Sequence, residues 1–315
     1  MCSSDLTMSS PAQPTGSRSL PHAGAPLCAA FDPRTRKPQI TLPPDATDCH
    51  AHICGPASQY DYFDARIYTP PDSLLPDYRK MLDTLGVTRA VLIQPSVYGT
   101  DNRAMLDAMK TAPDRLRGVA VVDDDVSSAE LERMHKAGVR GVRVNIVDVK
   151  DRKPGTLPLA DLTKLAAKVK PFGWHMEFLM HVDEFPELDR MLADFPVETV
   201  YGHLGYMKTD RGTGDPGFQA LLRLMKAGRA WVKLTGPYRI SSQPLPYIDT
   251  NEYAHALLAA APSQVVWGSD WPHVMVKSVM PNDGDLADML GAWVPDQATL
   301  KRVLVDNPAR LYDFE

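Results

Sequence analysis

Eight short segments rich in β-branched residues alternate with segments of helical periodicity, and this alternation constrains the fold of the 315-residue chain more than any other feature. It is typical of a parallel sheet, because parallel strands need a long crossover connection that is usually a helix. The predicted strands are Asp48–Ile53, Ala90–Gln94, Gly118–Val122, Val139–Asn145, His175–His181, Thr199–His203, Ala230–Thr235 and Val265–Asp270.

Segments of helical period follow these strands, and several end at a glycine or just before a proline. The predicted helices are Pro76–Leu85, Asn102–Ala112, Ser128–Ala137, Leu159–Val169, Glu184–Asp194, Gly217–Ala227 and Glu252–Ala260, with Ala287–Leu304 and Asn307–Tyr312 as closing helices. Eight such units predict an α/β fold of the (β/α)8 TIM-barrel type, with the active site at the C-terminal strand ends. An open doubly wound sheet is the alternative, but no G-x-G-x-x-G follows the first strand and no P-loop is present.

The first part of the chain differs in composition from the rest. Residues 1–41 are rich in Ser, Pro, Ala and Gly without strand or helix periodicity, which predicts a flexible or docked N-terminal arm. Residues 42–315 are long enough for one catalytic domain with a single large core.

Charge and cysteine usage exclude several classes of partner. The net charge of −5 and the absence of a basic run argue against nucleic acid or a membrane surface as partner. No apolar run long enough for a membrane span and no signal peptide are visible. Four cysteines without C-x-x-C spacing favour a reduced, cytoplasmic protein, and the oligomeric state is not indicated.

Polar residues lie where the predicted strands end. His50 and His52 are two positions apart and therefore point to the same side of the first strand, while Asp270 ends the last strand. A single histidine at a strand end is often only a hydrogen-bonded structural residue, but this pair with a matching carboxylate indicates a site. Cys49 is predicted to point away from the histidines, toward the outer layer, which argues against a cysteine nucleophile.

At these residues the chain resembles the amidohydrolase superfamily, in the branch that contains 2-pyrone-4,6-dicarboxylate lactonase. The motifs are Asp48-Cys-His-Ala-His-Ile-Cys-Gly-Pro56, Gln94-Pro-Ser-Val-Tyr-Gly-Thr-Asp-Asn102, Gly202-His-Leu-Gly205 and Trp267-Gly-Ser-Asp-Trp-Pro-His273. The resemblance implies a hydrolase that opens a carboxylated lactone from aromatic-compound degradation, so the expected partner is a small anionic lactone.

The resemblance also implies roles for individual residues. Asp270 would be the base that activates water, and His50, His52 and His203 would surround the scissile carbonyl. Ester hydrolysis needs such a base and fixed donors where the oxyanion develops. Tyr68, Ser96, Arg143 and Arg239 match positions that bind the substrate, and arginine suits carboxylates because its planar fork binds them bidentately.

Two departures from the family pattern bear on the substrate. Val149 stands where the pyrone-dicarboxylate branch has an arginine, and Leu179 where it has a tyrosine. Each lost charge-assisted hydrogen bond is worth about 1.5–3 kcal/mol. A muconolactone or sulfomuconolactone is therefore expected to fit as well as or better than a pyrone dicarboxylate, with Lys150, Arg152 or Lys208 as replacement clamps.

The motifs leave the cofactor open. His50, His52 and Asp270 are also the mononuclear metal site of the superfamily, which a fifth-strand residue completes, here Glu177 or His181. Both a zinc enzyme and a metal-free enzyme fit the sequence.

Other functions on the same barrel remain as alternatives. A metal-dependent decarboxylase of a carboxylated ring would share the His-x-His and Asp motifs, but the Gly-Thr-Asp-Asn loop and the Trp-Pro-His ending favour the lactonase. A non-catalytic binding protein would have to lack one of the four central polar groups, and none is missing.

Overall fold

Eight parallel strands form one sheet in the computed structural model, which describes residues 25–148 and 152–315. The strands are β1 (Thr47–Ala51), β2 (Arg89–Ile93), β3 (Leu116–Ala120), β4 (Val139–Asn145), β5 (His175–Leu179), β6 (Thr199–Tyr201), β7 (Ala230–Leu234) and β8 (Val265–Trp267). Each strand pairs with the next, and an isolated bridge between Ala51 and Trp271 joins the loop after the last strand to the first strand. The predicted TIM-type barrel is confirmed.

Helices connect the strands and cover the outside of the barrel. They are α1 (Leu75–Leu85), α2 (Arg103–Lys110), α3 (Ser128–Lys136), α4 (Leu159–Val169), α5 (Leu188–Met191), α6 (Pro216–Lys226), α7 (Asn251–Ala260), α8 (Asp283–Asp288), α9 (Leu290–Trp293), α10 (Gln297–Lys301) and α11 (Asn307–Tyr312). Alternate strand residues such as Val232 and Leu234 pack in the layer under these helices, whereas Trp231 packs with Leu311 and Tyr312 of α11. The last helix therefore packs against the strand face that points into the barrel.

Two predicted helices are wrong in extent. Of Glu184–Asp194 only α5 is α-helical, because Pro186 lies inside the segment. The predicted helix Ala287–Leu304 is divided into α8, α9 and α10, since Pro295 interrupts it and Asp296 caps a new helix by accepting from the N–H of Thr299. A π-helical segment, Arg302–Asp306, then leads into α11.

The strands that carry site residues end earlier than predicted. β5 ends at Leu179, β6 at Tyr201 and β8 at Trp267, so His181, His203 and Asp270 lie in the loops that follow. His203 and Asp270 have φ of 52° and 68°, in the left-handed region, which a strand cannot contain. Their side chains are thus positioned by tight turns rather than by strand pleating.

The prediction that Cys49 faces the outer layer is wrong. Cys49 packs with Val91 and Trp231 on the face that points into the barrel. The register of β1 against β2 shifts between Asp48 and Ala51, and this irregularity breaks the simple alternation. Burial raises the pKa of the Cys49 thiol well above its usual value, which still argues against a nucleophile.

The described part of the N-terminal arm contacts the barrel. Leu27 forms a parallel bridge with Thr69, the ring of Phe31 lies 4.8 Å from that of Trp271, and Arg36 pairs with Asp288 at 2.7 Å. Residues 1–24 of the predicted arm lie outside the described part. In the described ranges no helix is long and apolar enough to cross a membrane, and the cysteines there are unpaired.

Candidate active site

Three predicted histidines meet at the C-terminal end of the strands. The rings of His50, in β1, and His52, just after it, are 5.1 Å apart, and the ring of His203 lies 5.4 Å from that of His50. His52 donates Nδ1–H to the carbonyl of Ile93 at 2.8 Å. When this ring is neutral, its Nε2 therefore carries a lone pair.

Asp270 faces these rings from the loop after β8. Its Oδ1 lies 3.6 Å from Nε2 of His50, and both atoms are buried and without a hydrogen-bond partner among the described residues. Its Oδ2 accepts hydrogen bonds from the Tyr238 hydroxyl and from Nε of Arg239, each at 2.6 Å. One carboxylate oxygen is thus engaged and the other is open toward His50.

Burial and charge set the protonation of the cluster. Burial lowers the pKa of His52 to about 4 and that of His203 to about 3, and it lowers the pKa of His50 well below the usual value. Burial would raise the pKa of Asp270, but Arg239 and then the histidines outweigh it and hold this pKa well below its usual range. At neutral pH a carboxylate therefore faces three uncharged imidazoles.

Two glycines make room for this arrangement. A Cβ on Gly268 would lie 2.6 Å from the Cβ of His50. A Cβ on Gly236, where φ is +55°, would lie 2.7 Å from Nδ1 of His203 and 2.8 Å from Oδ2 of Asp270. Any side chain at either position would displace a site residue.

Glu177, a predicted metal ligand, lies beside Nδ1 of His50, whereas Nε2 of the same ring faces Asp270. Its Oε2 accepts from Nζ of Lys233 at 2.7 Å, and its Oε1 lies 3.4 Å from Nδ1 of His50. Nζ of Lys233 also lies 3.3 Å from that Nδ1 and donates to the carbonyl of Cys49 at 2.9 Å. Glu177 and Lys233 are both buried and form an ion pair behind His50. Glu177 is therefore paired with Lys233 and does not belong to the group formed by His50, His52 and Asp270.

The cluster that could hold a metal ion consists of His50, His52 and Asp270. One ligand atom from each lies within 4.8 Å of the others, in the only such group found in residues 25–148 and 152–315. His181, the other fifth-strand candidate, donates Nδ1–H to the carbonyl of Tyr206 at 2.5 Å and is not part of this group. Imidazole nitrogens and a carboxylate oxygen are ligand types that zinc accepts in proteins.

A buried carboxylate beneath the site ties β1 to the loop after β8. Asp48 accepts from the N–H groups of Ser269 at 2.8 Å and His50 at 3.1 Å, and from the Tyr78 hydroxyl at 2.9 Å. Burial raises the pKa of Asp48 to about 6, although these bonds oppose the shift. Sequence reasoning gave Asp48 no role, and it also missed Tyr238, although Tyr238 directly precedes the predicted Arg239.

The predicted substrate-binding residues fall into two groups. Tyr68 is buried near Ser96 and Arg143, and Nη1 of Arg143 donates to the carbonyl of Gln94 at 2.9 Å. Arg143 is close enough to lower the pKa of His52 and His203. The second group is Arg239, whose Nε is bound to Asp270 and whose charge also acts to lower the pKa of His52 and His203.

A cavity of about 900 Å³ adjoins the site on the Arg239 side. Of the three replacement clamps, Lys208 lines it and donates Nζ–H to the carbonyl of Arg239 at 2.8 Å. Arg152 is paired with Glu184 at 2.6 Å, and Lys150 lies outside the described residues, as does Val149. The cavity lining includes His181, Tyr206, Lys208, Tyr238, Leu245 and Val279.

The barrel and the convergent carboxylate and histidines define a hydrolase-type active site on a TIM-barrel scaffold. The sequence pattern of the amidohydrolase family matches residues 47–314, and the chain belongs to this family. The predicted family is confirmed.

Two curated relatives cover nearly the whole chain. A 2-pyrone-4,6-dicarboxylate hydrolase of Comamonas testosteroni is 35% identical over 88% of this chain and 92% of its own length. A 4-sulfomuconolactone hydrolase of Hydrogenophaga intermedia is 33% identical over 91% of this chain and 95% of its own length.

Solved structures agree with the fold. A Pseudomonas putida structure, whose description proposes a 2-pyrone-4,6-dicarboxylic acid hydrolase, is 34% identical with a TM-score of 0.75 and covers 87% of this chain and 99% of its own. A 2,6-dihydroxybenzoate decarboxylase is 14% identical over 86% of this chain and 99% of its own, with a TM-score of 0.59. The likeness to the decarboxylase shows the fold alone.

Proposed function

We propose that this amidohydrolase opens a small carboxylated lactone by hydrolysis, with Asp270 as the base that takes a proton from water. The observation that carries the proposal is the pair of open buried atoms, Oδ1 of Asp270 and Nε2 of His50, which face each other across 3.6 Å. Buried polar atoms normally have a hydrogen-bond partner. Because these two face each other at the C-terminal strand ends, where barrel active sites lie, this pair supports a binding position for water and the lactone carbonyl. The two curated relatives, which open a pyrone dicarboxylate and a sulfomuconolactone, support the same reaction class.

The hydrolysis needs one proton to move twice. Asp270 takes a proton from water as the water oxygen bonds to the lactone carbonyl carbon. The ring C–O bond then breaks, and Asp270 returns the proton to the departing ring oxygen. The product is an acyclic carboxylate with a new hydroxyl or enol group.

His50 can exist in either neutral tautomer. The Lys233 ammonium at 3.3 Å from Nδ1 favours a hydrogen on Nε2, which would donate to the developing oxyanion. The Glu177 carboxylate at 3.4 Å from the same Nδ1 favours a hydrogen there, which leaves the lone pair on Nε2 free.

The donor set fits a zinc ion. His50, His52 and Asp270 would hold it, since His52 already donates its Nδ1–H to a carbonyl and leaves Nε2 free, as histidine ligands do. When bound, zinc supplies polarisation of the lactone carbonyl and a more acidic water. The positive charges of Lys233 and Arg239 lie next to this set and repel a cation. Zinc binding is therefore tested separately from the hydrolysis.

Arg143, with Tyr68 and Ser96, is proposed to bind the substrate carboxylate beside the histidines. On the other side, Lys208 and the adjoining cavity would receive a second substituent. Because the positions of Val149 and Leu179 lack the family's arginine and tyrosine, a muconolactone or sulfomuconolactone fits this arrangement better than a pyrone dicarboxylate.

The test is product analysis on a panel of lactones with elemental analysis of the purified protein. We expect ring opening with release of one proton and no CO₂, and about one zinc per chain whose removal by a chelator is reversed by added zinc. Release of CO₂ would instead support the decarboxylase. Full activity in metal-free protein would refute the zinc site and leave the hydrolysis standing. A cytoplasmic location, where the described cysteines would stay reduced, is part of the proposal.

A further inference from the structure

A chain of hydrogen-bonded polar groups leads away from Oδ2 of Asp270. The Tyr238 hydroxyl lies 2.6 Å from this oxygen and 3.0 Å from Nδ1 of His273. On the other side of the ring, Nε2 of His273 lies 3.0 Å from Oδ1 of Asp283, the first residue of α8. His273 is 0% and Asp283 1% exposed, so water does not compete for the bond between them.

With the carboxyl groups of Asp270 and Asp283 both ionised, the direction of every hydrogen bond in this chain follows. Carboxylates only accept, so Tyr238 donates its one hydrogen to Asp270. The phenol oxygen must then accept from Nδ1–H of His273, while Nε2–H of His273 donates to Asp283. With both nitrogens donating, His273 is an imidazolium, and Asp283 balances its charge.

Two donors converge on one oxygen of the proposed base as a result. Tyr238 and Nε of Arg239 both bind Oδ2 of Asp270, which holds the plane of the carboxylate and leaves Oδ1 toward His50. Burial, and next the charge of Asp270, hold the pKa of Tyr238 well above its usual value, so Tyr238 stays a donor.

We infer that Tyr238, His273 and Asp283 are positioning residues for the reaction, and that Oδ1 is the oxygen of Asp270 that takes the proton from water. The inference rests on the proposed hydrolysis and extends it to α8. Asp283 does not line the cavity, and hydrogen bonds connect it to Asp270 through His273 and Tyr238.

The first test removes the charge of Asp283 and keeps its shape. In Asp283→Asn the amide oxygen still accepts from Nε2–H, but the imidazolium loses its counter-charge. A neutral His273 then has a lone pair on Nδ1 that draws the Tyr238 hydrogen away from Asp270. We expect kcat to fall about tenfold and KM to change less than about twofold.

The matched control is Asp288→Asn, which removes another carboxylate of α8. Asp288 pairs with Arg36 and accepts from the N–H groups of Gln39 and Ile40, away from Asp270. We expect kcat and KM to stay within about twofold of wild type. A kcat for Asp283→Asn equal to that of Asp288→Asn would overturn the inference.

The second test asks whether the residues act along one chain. Tyr238→Phe should lower kcat about tenfold, whereas Tyr201→Phe, a buried tyrosine packed on Phe178, should not. The double variant Tyr238→Phe/Asp283→Asn should be no slower than Tyr238→Phe alone, because the chain is already cut. Effects that multiply would show two independent structural losses and refute the chain.

The third test needs no substrate and separates this inference from the proposed function. Nitrogen–proton correlation NMR at neutral pH should show both ring nitrogens of His273 protonated in the wild type, and only Nε2 protonated in Asp283→Asn. One protonated nitrogen in the wild type would overturn the inference. If no lactone is opened, the proposed function fails while this measurement still decides the chain, and the wild-type spectrum suffices should Asp283→Asn not fold.

Discussion

The two sides of the site are built differently. Around Asp270, the side chains are buried, and contacts from Tyr238 and Arg239 fix the carboxylate. Across Arg239, the cavity of about 900 Å³ is bordered by residues that remain in water, such as Leu245 at 41% and Val279 at 85% exposure. Few buried contacts mean low local stability. We therefore expect the chemistry to reside in the fixed cluster, and substrate choice in the loops after β6, β7 and β8.

The largest effect should come from Asp270, the proposed base on the buried side of the site. Asp270→Asn keeps the shape but removes proton acceptance, and we expect kcat to fall between about a hundredfold and ten-thousandfold. Steady-state kinetics on the best lactone of the panel measures this, with circular dichroism to verify folding. A variant that keeps half its activity would remove Asp270 from the mechanism and end the distinction between the two halves.

The next effect concerns the ion pair behind His50. Lys233→Met leaves the Glu177 carboxylate buried without its partner, which we expect to lower the free energy of unfolding by about 3–5 kcal/mol. Urea unfolding of the single variants and of Lys233→Met/Glu177→Gln measures the coupling. The double variant should recover part of the loss. Equal losses in the single and double variants would show that the ion pair between Lys233 and Glu177 does not stabilise the fold.

The free energy of unfolding should depend on pH through the buried His175. Burial is the main cause that lowers the pKa of His175 from 6.5 to about 4, against a smaller opposite effect of Glu177. Between pH 6.5 and about pH 4, His175 is protonated in the unfolded chain but not in the folded chain. Stability is therefore lost as the pH falls through this window, by about 3 kcal/mol for this residue.

The check is His175→Phe, which keeps a ring against Tyr312 but cannot titrate. Urea unfolding between pH 7 and pH 4 should show a shallower loss of stability than in the wild type. Parallel curves would mean that His175 is not the group that titrates there.

A smaller effect is expected at the predicted carboxylate clamp. Arg143→Met should raise KM for a carboxylated lactone by about tenfold to a hundredfold and leave a neutral lactone nearly unchanged, because a charge-assisted bond of about 1.5–3 kcal/mol is lost. Arg140→Met on the same strand removes an arginine that is paired with Asp313 and serves as the matched control. Equal changes on both lactones would contradict the clamp.

The sequence predicted the barrel because strand and helix periods are local properties, and it predicted the convergence of His50, His52, His203 and Asp270 because strand ends meet at one rim. It did not place Glu177, since parity cannot tell whether a side chain points at the ligand atoms or at Lys233 on β7. Tyr238 and Asp283 were missed because their link through His273 depends on left-handed turns at Asp270 and His273, which no periodicity reports.

The smallest effect is expected for substrate binding on the cavity side of the site. Lys208 is exposed, donates to the carbonyl of Arg239 and lines the cavity, so its attraction for an anionic substituent is screened by water. Lys208→Met should raise KM by about threefold for a lactone with an anionic side chain, with kcat unchanged, while the exposed Lys226→Met at the end of α6 changes neither. Competition kinetics between two lactones that differ only in this substituent resolves so small a change. A loss in kcat would show that the cavity takes part in the chemistry, and the two halves of the site would then have to be treated as one.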